Sequence, residues 1–176
     1  MRTFVAVDVP GATAALGGAA GHAAEHITLR FLGEVDEARV PEISAALEGV
    51  AARSAPFGLT LAGVGGFPDL ARPRIVFGDV TEGRSEVVRL AADVQAALDA
   101  IGFPPEGRPF VPHATLLRVR SPRDRERARR LVEELGGRPI ASTLVRELLL
   151  KASDLRPEGA VHRVIGRWAL GAPPPQ

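Results

Sequence analysis

The sequence predicts an α+β fold rather than a doubly wound parallel sheet. Predicted strands alternate with three helices, and two pairs of strands lie close enough along the chain for local antiparallel pairing. These pairs are 57–64 with 74–80 and 140–151 with 161–170. The order strand, helix, two strands occurs twice, over 26–80 and 113–170, with an offset of 87 residues between the two copies. We therefore expect a single domain, residues 1–176, built from two related halves.

In the first half, alternating apolar residues predict a strand over 4–9, which ends at Pro10. Residues 11–24 are mostly Ala and Gly, and this composition suits either a short helix or a poorly ordered loop. A strand follows over 25–32. Apolar residues at helical spacing then predict a helix over 37–53.

In the second half, one apolar stripe predicts a helix over 84–101. A proline-rich loop leads into a strand over 110–119. Ser121 and Pro122 form a typical helix start, with the serine as N-cap, and this helix should run to residue 135. Glycines 65 and 66 are expected in a turn, and residues 171–176 are expected to form a flexible tail.

Composition limits the chemistry that this chain can perform. The chain of 176 residues has no cysteine, which excludes disulfides, thiolate metal sites and a cysteine nucleophile. Residues 1–100 contain 8 basic and 13 acidic side chains, whereas residues 101–176 contain 14 and 8. The second half could therefore attract an anion, although the arginine-rich composition can also reflect coding bias. The apolar run at the N-terminus is too short for a signal peptide, so we expect a soluble cytoplasmic protein.

The motif His-x-Thr-Leu occurs twice, as His26-Ile27-Thr28-Leu29 and His113-Ala114-Thr115-Leu116. Alternate residues of a strand point to the same face, so each motif should present an imidazole and a hydroxyl side by side. Two chance matches are expected in roughly one of ten thousand chains of this composition. The pair is therefore a specific signal, whereas one copy alone would be weak.

Two such strands across a shared cleft have the groups required for acid–base displacement at phosphorus. One neutral imidazole can accept a proton from water while a protonated imidazole donates one to the departing oxygen. The threonine hydroxyls can donate hydrogen bonds to phosphate oxygens. The residues alone do not distinguish which histidine is the acid.

The two remaining histidines and the glycine-rich and arginine-rich segments lack such a motif. His22 and His162 lack a threonine two residues later, and we interpret them as surface or structural histidines. The segment 63–66 resembles a phosphate loop only superficially, and the arginines between 118 and 130 are interpreted as a solvated helix face. Because His, Asp and Glu do not recur at metal-ligand spacing, we expect no metal and no cofactor.

With these motifs in place, the chain resembles the two-histidine phosphoesterases. Within them it is similar to the bacterial and archaeal RNA 2′,3′-cyclic phosphodiesterases, historically called 2′-5′ RNA ligases. The segments that carry the resemblance are 2–10, 26–35, 108–118 and 167–170.

The resemblance implies a bilobed, pseudo-symmetric fold in which two antiparallel-rich sheets surround a central cleft and helices pack outside. It also implies metal-independent hydrolysis of a 2′,3′-cyclic phosphate to a 2′-phosphate. His26 would donate a proton and His113 would accept one, while Thr28 and Thr115 would hold the phosphate.

The family pattern further places an arginine near the phosphate, at Arg118, and an aromatic ring near a base, at Phe31. Strict alternation puts both on the face opposite the histidines of their strands, so a bulge or a strand end would be required. The segment between Pro10 and His26 is also shorter than the one the family usually has, and its apolar residues are smaller. We therefore expect the cleft wall at this segment to be thin.

The expected partner is RNA that ends in a 2′,3′-cyclic phosphate, or a small cyclic nucleotide. We expect the protein to be a monomer that does not associate with membranes. Two alternatives remain open. The same groups could run the reaction in reverse and join RNA ends through a 2′-5′ bond. Alternatively, the chain could be a non-catalytic module that binds RNA ends or nucleotides.

Overall fold

The computed structural model describes residues 1–16, 25–156 and 159–171. Eight strands are present in this part of the chain: β1 (Arg2–Asp8), β2 (His26–Glu34), β3 (Phe57–Phe67), β4 (Ile75–Glu82), β5 (His113–Arg118), β6 (Pro139–Val145), β7 (Glu147–Arg156) and β8 (Gly159–Ala169). The helices are α1 (Ala12–Ala15), α2 (Val40–Arg53), α3 (Arg84–Ala100) and α4 (Pro122–Leu135), and a 3-10 turn (Glu37–Arg39) precedes α2.

The strands form two four-stranded sheets in which all neighbours are antiparallel. Sheet A has the order β2-β1-β7-β8, and sheet B has the order β5-β4-β3-β6. The two strands that begin with the motif histidines, β2 and β5, are edge strands of different sheets and contact each other. The two sheets therefore meet along the two histidine strands, and the predicted α+β architecture with paired antiparallel sheets is confirmed.

The helices cover one apolar interior. The predicted stripe of α3 is buried, including Val87, Leu90, Val94 and Leu98, and α3 contacts both α2 and β2. Helix α4 begins as predicted, since the Ser121 hydroxyl accepts a hydrogen bond from the backbone N–H of Asp124 and the Asp124 carboxylate accepts one in return. No helix in the described residues combines the length and apolar character needed to cross a membrane.

Two predictions of secondary structure were wrong. The single strand expected over 140–151 is divided into β6, which pairs with β3 in sheet B, and β7, which pairs with β1 in sheet A. Gly65 and Gly66 were expected in a turn, but they lie within β3, which continues to Phe67. At 11–24 the helix α1 covers only 12–15, and residues 17–24 lie outside the described residues, as does most of the tail predicted at 171–176.

Candidate active site

The motif histidines occupy equivalent places in the two halves. His26 is the first residue of β2 and lies opposite Asp8 of β1, and His113 is the first residue of β5 and lies opposite Asp79 of β4. The pair β1–β2 is thus matched by the pair β4–β5. The strand before each histidine strand along the chain is therefore part of the repeated unit that forms the site.

Each motif strand contains a β-bulge at the leucine of its His-x-Thr-Leu sequence. In β2, Ala6 pairs with Thr28 and Val5 with Arg30, so Leu29 is the extra residue. In β5, Leu116 is the extra residue by the same argument, because Phe77 pairs with Thr115 and Val76 with Leu117. A bulge reverses the alternation of the residues that follow it.

This reversal decides where Phe31 and Arg118 lie. Phe31 is 57% exposed and its ring is 5.9 Å from the ring of Phe4, which in turn lies 5.2 Å from the imidazole of His26. Arg118 is exposed, and its charge lowers the pKa of His26 and that of His113. The bulges that this placement required are present, and they turn both side chains to the histidine face.

His26 lies in a crowded, positively charged environment. Its ring is 5.2 Å from that of His162 on β8 in an edge-to-face arrangement, and the ring of Phe4 contacts both imidazoles. Lys151 on β7 is 8% exposed and forms an ion pair with Asp8 beside His26. Sheet A thus brings side chains from four strands to one point.

Burial and these charges hold His26 in its neutral form. Burial is the main cause that lowers the pKa of His26 from 6.5 to about 3, and the ammonium group of Lys151 is the next cause. His162, His113 and Arg118 lower this pKa further. The two motif histidines are the first residues of the contacting strands β2 and β5.

The ring of His113 contacts a backbone carbonyl group and two aromatic rings. The Nδ1 atom of its ring lies 2.7 Å from the carbonyl oxygen of Val111, so Nδ1 carries the hydrogen and donates it. The rings of Phe67 and Phe77 lie 5.0 and 5.3 Å away. Burial lowers the pKa of His113, whereas the Val111 carbonyl raises it and the charge of Arg118 lowers it again. The neutral ring therefore has its lone pair on Nε2.

The two threonines are half-buried on the same face as their histidines. In the described part of the chain, neither the Thr28 nor the Thr115 hydroxyl has a hydrogen-bond partner within the protein. Each hydroxyl can therefore donate to a bound anion without first breaking a bond to the protein.

A cavity of about 250 Å³ opens beside His26 on the sheet A side. It is lined by Asp8, Pro10, Glu25, His26, Lys151, Val161 and His162. Within residues 1–16, 25–156 and 159–171, no three His, Asp or Glu side chains lie close enough together to hold a metal ion.

Sequence reasoning missed three of the groups around His26. Lys151 and Asp8 belong to no motif, although Lys151 is the single lysine in the chain and follows three buried leucines in a strand. His162 was set aside because it lacks a following threonine, and the structure instead places it against His26. His22 lies outside the described residues.

Comparisons with known proteins agree with this architecture. The chain is 36% identical over 140 residues to a protein of Aeropyrum pernix named RNA 2′,3′-cyclic phosphodiesterase, in an alignment that covers 80% of this chain and 78% of the relative. It is 34% identical over 176 residues to a protein of the same name from Archaeoglobus fulgidus, with 93% and 97% of the two chains covered.

Solved structures show the same similarity. A crystal structure from Thermus thermophilus matches with a TM-score of 0.73 and 29% identity, and E. coli LigT in complex with 3′-AMP matches with 0.72 and 26%. Each match covers 97% of this chain and 98% of the matched chain. Two sheets that meet along paired histidine strands define a two-histidine phosphoesterase. The chain belongs to the 2'-5' RNA ligase superfamily, whose family model matches residues 6–154.

Proposed function

We propose that this protein hydrolyses a 2′,3′-cyclic phosphate at the end of an RNA to a 2′-phosphomonoester, by acid–base catalysis with two histidines and no metal. The observation that carries the proposal is the contact between two bulged His-x-Thr strands, β2 and β5, each of which begins at its motif histidine. The name shared by the curated relatives supports the substrate class.

His113 is suited to be the proton acceptor. The hydrogen bond to the Val111 carbonyl fixes the neutral tautomer with the hydrogen on Nδ1, so the basic Nε2 is directed away from this bond. The lowered pKa of His113 keeps the ring neutral near pH 7. A general base must be unprotonated when water attacks, and His113 meets this condition.

His26 is then the proton donor, although its pKa of about 3 leaves it neutral in the free protein. Two of the causes that lower this pKa are the positive charges of Lys151 and Arg118. A bound phosphate anion offsets these charges and stabilises the protonated imidazole. Substrate binding would thus prepare the acid.

In the proposed step, the oxygen of water forms a bond to phosphorus while His113 Nε2 takes one proton from this water. The bond between phosphorus and the ribose O3′ breaks, and His26 gives its proton to O3′. The products are a 2′-phosphate and a 3′-hydroxyl. Proton exchange with solvent returns the two histidines to their starting forms.

Negative charge on the non-bridging oxygens would be stabilised by Thr28, Thr115 and Arg118. The two hydroxyls donate hydrogen bonds, and the guanidinium can bind two oxygens at once. Phe31, largely exposed on the same face, offers a surface on which a base can stack. In this scheme the charge of the phosphate is neutralised by protein cations, and no metal ion is required.

The test is incubation in EDTA with a nucleoside 2′,3′-cyclic phosphate and with an oligonucleotide that ends in one, followed by identification of the product isomer. We expect a 2′-phosphate from the oligonucleotide. His26→Ala and His113→Ala should each lower kcat by about 10²–10⁴-fold. Thr28→Val should lower turnover, whereas Thr60→Val, on β3 with its hydroxyl bonded to Glu82, is the matched control. A 3′-phosphate product, or activity that EDTA abolishes, contradicts the proposal.

The name of the matching family favours a second candidate, the joining of a cyclic-phosphate end to a 5′-hydroxyl through a 2′-5′ bond. The 5′-hydroxyl would attack phosphorus in place of water, with His113 taking its proton and His26 giving one to the departing O3′. Adding an RNA with a 5′-hydroxyl end to the assay detects this product. If both histidine variants kept wild-type RNA binding and the wild-type protein converted neither substrate, a non-catalytic RNA-end module would be the remaining explanation.

A further inference from the structure

The two motif histidines are held in different ways. The Nδ1 atom of His113 donates a 2.7 Å hydrogen bond to the carbonyl of Val111, which fixes the rotation of that ring. In the described part of the chain, by contrast, no hydrogen bond is made to the ring of His26. Rotation of a histidine ring about the bond from Cβ to Cγ has broad minima. Packing must therefore fix the direction of the His26 ring.

Two other rings pack against His26. The ring of Phe4 lies 5.2 Å from it at an angle of 35°, and the ring of His162 lies 5.2 Å from it at 88°. Phe4 and His162 also contact each other, at 5.0 Å and 80°. Each ring thus touches the other two. We call Phe4, His26 and His162 the ring cluster.

Sheet A brings the members of the ring cluster together from three strands. His162 lies on β8, which β7 and β1 separate from β2. It lies opposite Ser153 of β7 and is half-buried, while Phe4 on β1 is 2% exposed. The edge-to-face arrangement of His162 is favoured because the positive edge of one ring meets the negative face of the other. The ring of His162 therefore reaches His26 across the face of the sheet.

The two neighbours restrict the His26 ring in different directions. Because Phe4 is inclined to it by 35° and His162 by 88°, a rotation that keeps one contact changes the other. A general acid has to point at the oxygen that it protonates, and a misplacement of about 1 Å can lower a rate about 10²-fold. Loss of either neighbour would thus release the ring without removing it.

We propose that His162 is a positioning residue, which holds the ring of His26 in the direction required for proton donation. In this role His162 acts through His26 and does not contact the phosphate. The function of His26 as the donor rests on the proposed function. His162 would do for His26 what the carbonyl of Val111 does for His113.

His162 also acts on His26 through its charge, which lowers the pKa of His26. The charged neighbours Lys151 and Asp8 remain in any variant of His162. A charge effect does not need a flat ring, whereas packing against His26 does. Replacements that differ only in the flat ring therefore separate the two effects.

The test compares His162→Phe and His162→Leu with the wild type. Both variants have an uncharged apolar side chain of comparable volume, and only phenylalanine keeps a flat ring. With a nucleoside 2′,3′-cyclic phosphate we expect kcat of His162→Leu to fall about tenfold, because His26 gains rotational freedom. His162→Phe should keep kcat within about threefold of wild type, and KM should change less than about twofold in both variants, since no contact with the substrate is lost.

The matched control is Val164→Ala, which changes an exposed residue two positions from His162 on β8 and should leave kcat and KM unchanged. Urea unfolding of each variant confirms that activity is measured on folded protein. Equal losses of kcat in His162→Phe and His162→Leu would overturn the proposal, because the nitrogen atoms or the charge would then matter and not the ring. A loss confined to KM, or no loss in His162→Leu, would overturn it as well.

NMR relaxation of the histidine ring C–H groups gives a measurement that is independent of activity. In the wild type we expect the ring of His26 to be as rigid as that of His113, and in His162→Leu only His26 should become mobile. A mobile His26 ring in the wild type would overturn the proposal even if His162→Leu did not fold. If the wild type converted neither a cyclic mononucleotide nor a cyclic-phosphate-ended oligonucleotide, the proposed function would fail, while the relaxation data would still decide whether His162 holds His26.

Discussion

Lys151 combines two properties that are costly to bring together, a positive charge and burial. A buried ammonium requires a partner, and Asp8 supplies a carboxylate on the neighbouring strand. The pair lies beside His26, where a charge has the greatest influence on the imidazole. The residue that we propose as the acid is therefore set to accept its proton only when an anion is present.

This arrangement predicts a definite pH dependence. In the free protein the pKa values of His26 and His113 are both lowered below 6.5, so neither ring is protonated above neutrality. Because the mechanism requires one protonated ring, kcat/KM should fall by about tenfold per pH unit on the alkaline side. In the substrate complex the phosphate raises the pKa of His26, so the alkaline decrease of kcat should occur at higher pH. Profiles from about pH 5 to about pH 9 test this, and a kcat/KM that rises on the alkaline side of neutrality would contradict it.

Substitution of Lys151 tests the charge directly. Lys151→Met removes the positive charge and keeps the aliphatic volume, so the pKa of His26 should rise and the alkaline decrease of kcat/KM should move to higher pH. Lys151→Arg keeps the charge and serves as the control, with a profile close to that of wild type. Titration of the His26 ring protons by NMR measures the shift. If the pKa of His26 in Lys151→Met stayed at the wild-type value, the charge of Lys151 would not be a cause of the lowered pKa.

The residues of the site differ in how far the sequence could predict them. His26 and Thr28 were found because alternation within one strand is local, and the same holds for His113 and Thr115. Lys151 and His162 reach His26 from strands more than a hundred residues away, and no local pattern records that pairing. The acidic partner of Lys151 was missed for the same reason.

At the scale of the element, the two bulges explain why alternation failed beyond each threonine. The extra residue does not disturb the hydrophobic pattern of either strand, because Leu29 and Leu116 are apolar and buried. The hydrophobic pattern therefore predicted the strand and its first half correctly. The change of face at Phe31 and Arg118 depends on how each strand pairs with its neighbour. The sequence alone does not show this pairing.

The helices show the opposite case. Stripes on α2 and α3 and the capping residues of α4 act within one element, and these predictions agree with the structure to within a few residues. The stretch 140–151 was divided because its two halves pair with strands of different sheets. A continuous apolar pattern cannot show that change of partner.

Strand β3 offers a pair of glycines for a matched test. A Cβ atom added to Gly65 would lie 2.3 Å from the ring of Phe77, which packs 5.3 Å from the ring of His113, whereas at Gly58 nothing lies within 4 Å. Gly65→Ala should displace Phe77, lower stability by about 1–3 kcal/mol and reduce activity. Gly58→Ala should leave both close to wild type. Urea unfolding and turnover measure the two effects, and equal behaviour of the variants would show that Phe77 does not support His113.

At the scale of the whole molecule, Arg30 joins the two halves. Its side chain is 1% exposed and donates to the Asp99 carboxylate at 2.7 Å and to the carbonyls of Gln95 at 2.9 Å and Pro104 at 2.6 Å. Arg30 belongs to β2 of sheet A, while these acceptors lie on α3 and in the loop that leads to β5. A single buried guanidinium thus connects one histidine strand with the approach to the other.

Arg30→Met should destabilise the whole protein by about 3 kcal/mol, because buried carbonyls and a half-exposed carboxylate lose their donor. Both sheets should unfold in one transition at a lower denaturant concentration. Arg129→Gln, which alters only exposed ion pairs on α4, is the control and should not move the midpoint. A midpoint for Arg30→Met that equals the control would show that the connection is dispensable.

Sheet A is made from the first two and the last two strands of the described chain, whereas sheet B uses strands that are contiguous from 57 to 145. During synthesis on the ribosome, sheet B can therefore be completed while β1 and β2 still lack the neighbour that joins them to β8. His26 is translated early, yet Lys151 and His162 reach it only after the terminal hairpin has emerged. The site around His26 would consequently remain incomplete until that hairpin docks, whatever the state of the half that carries His113.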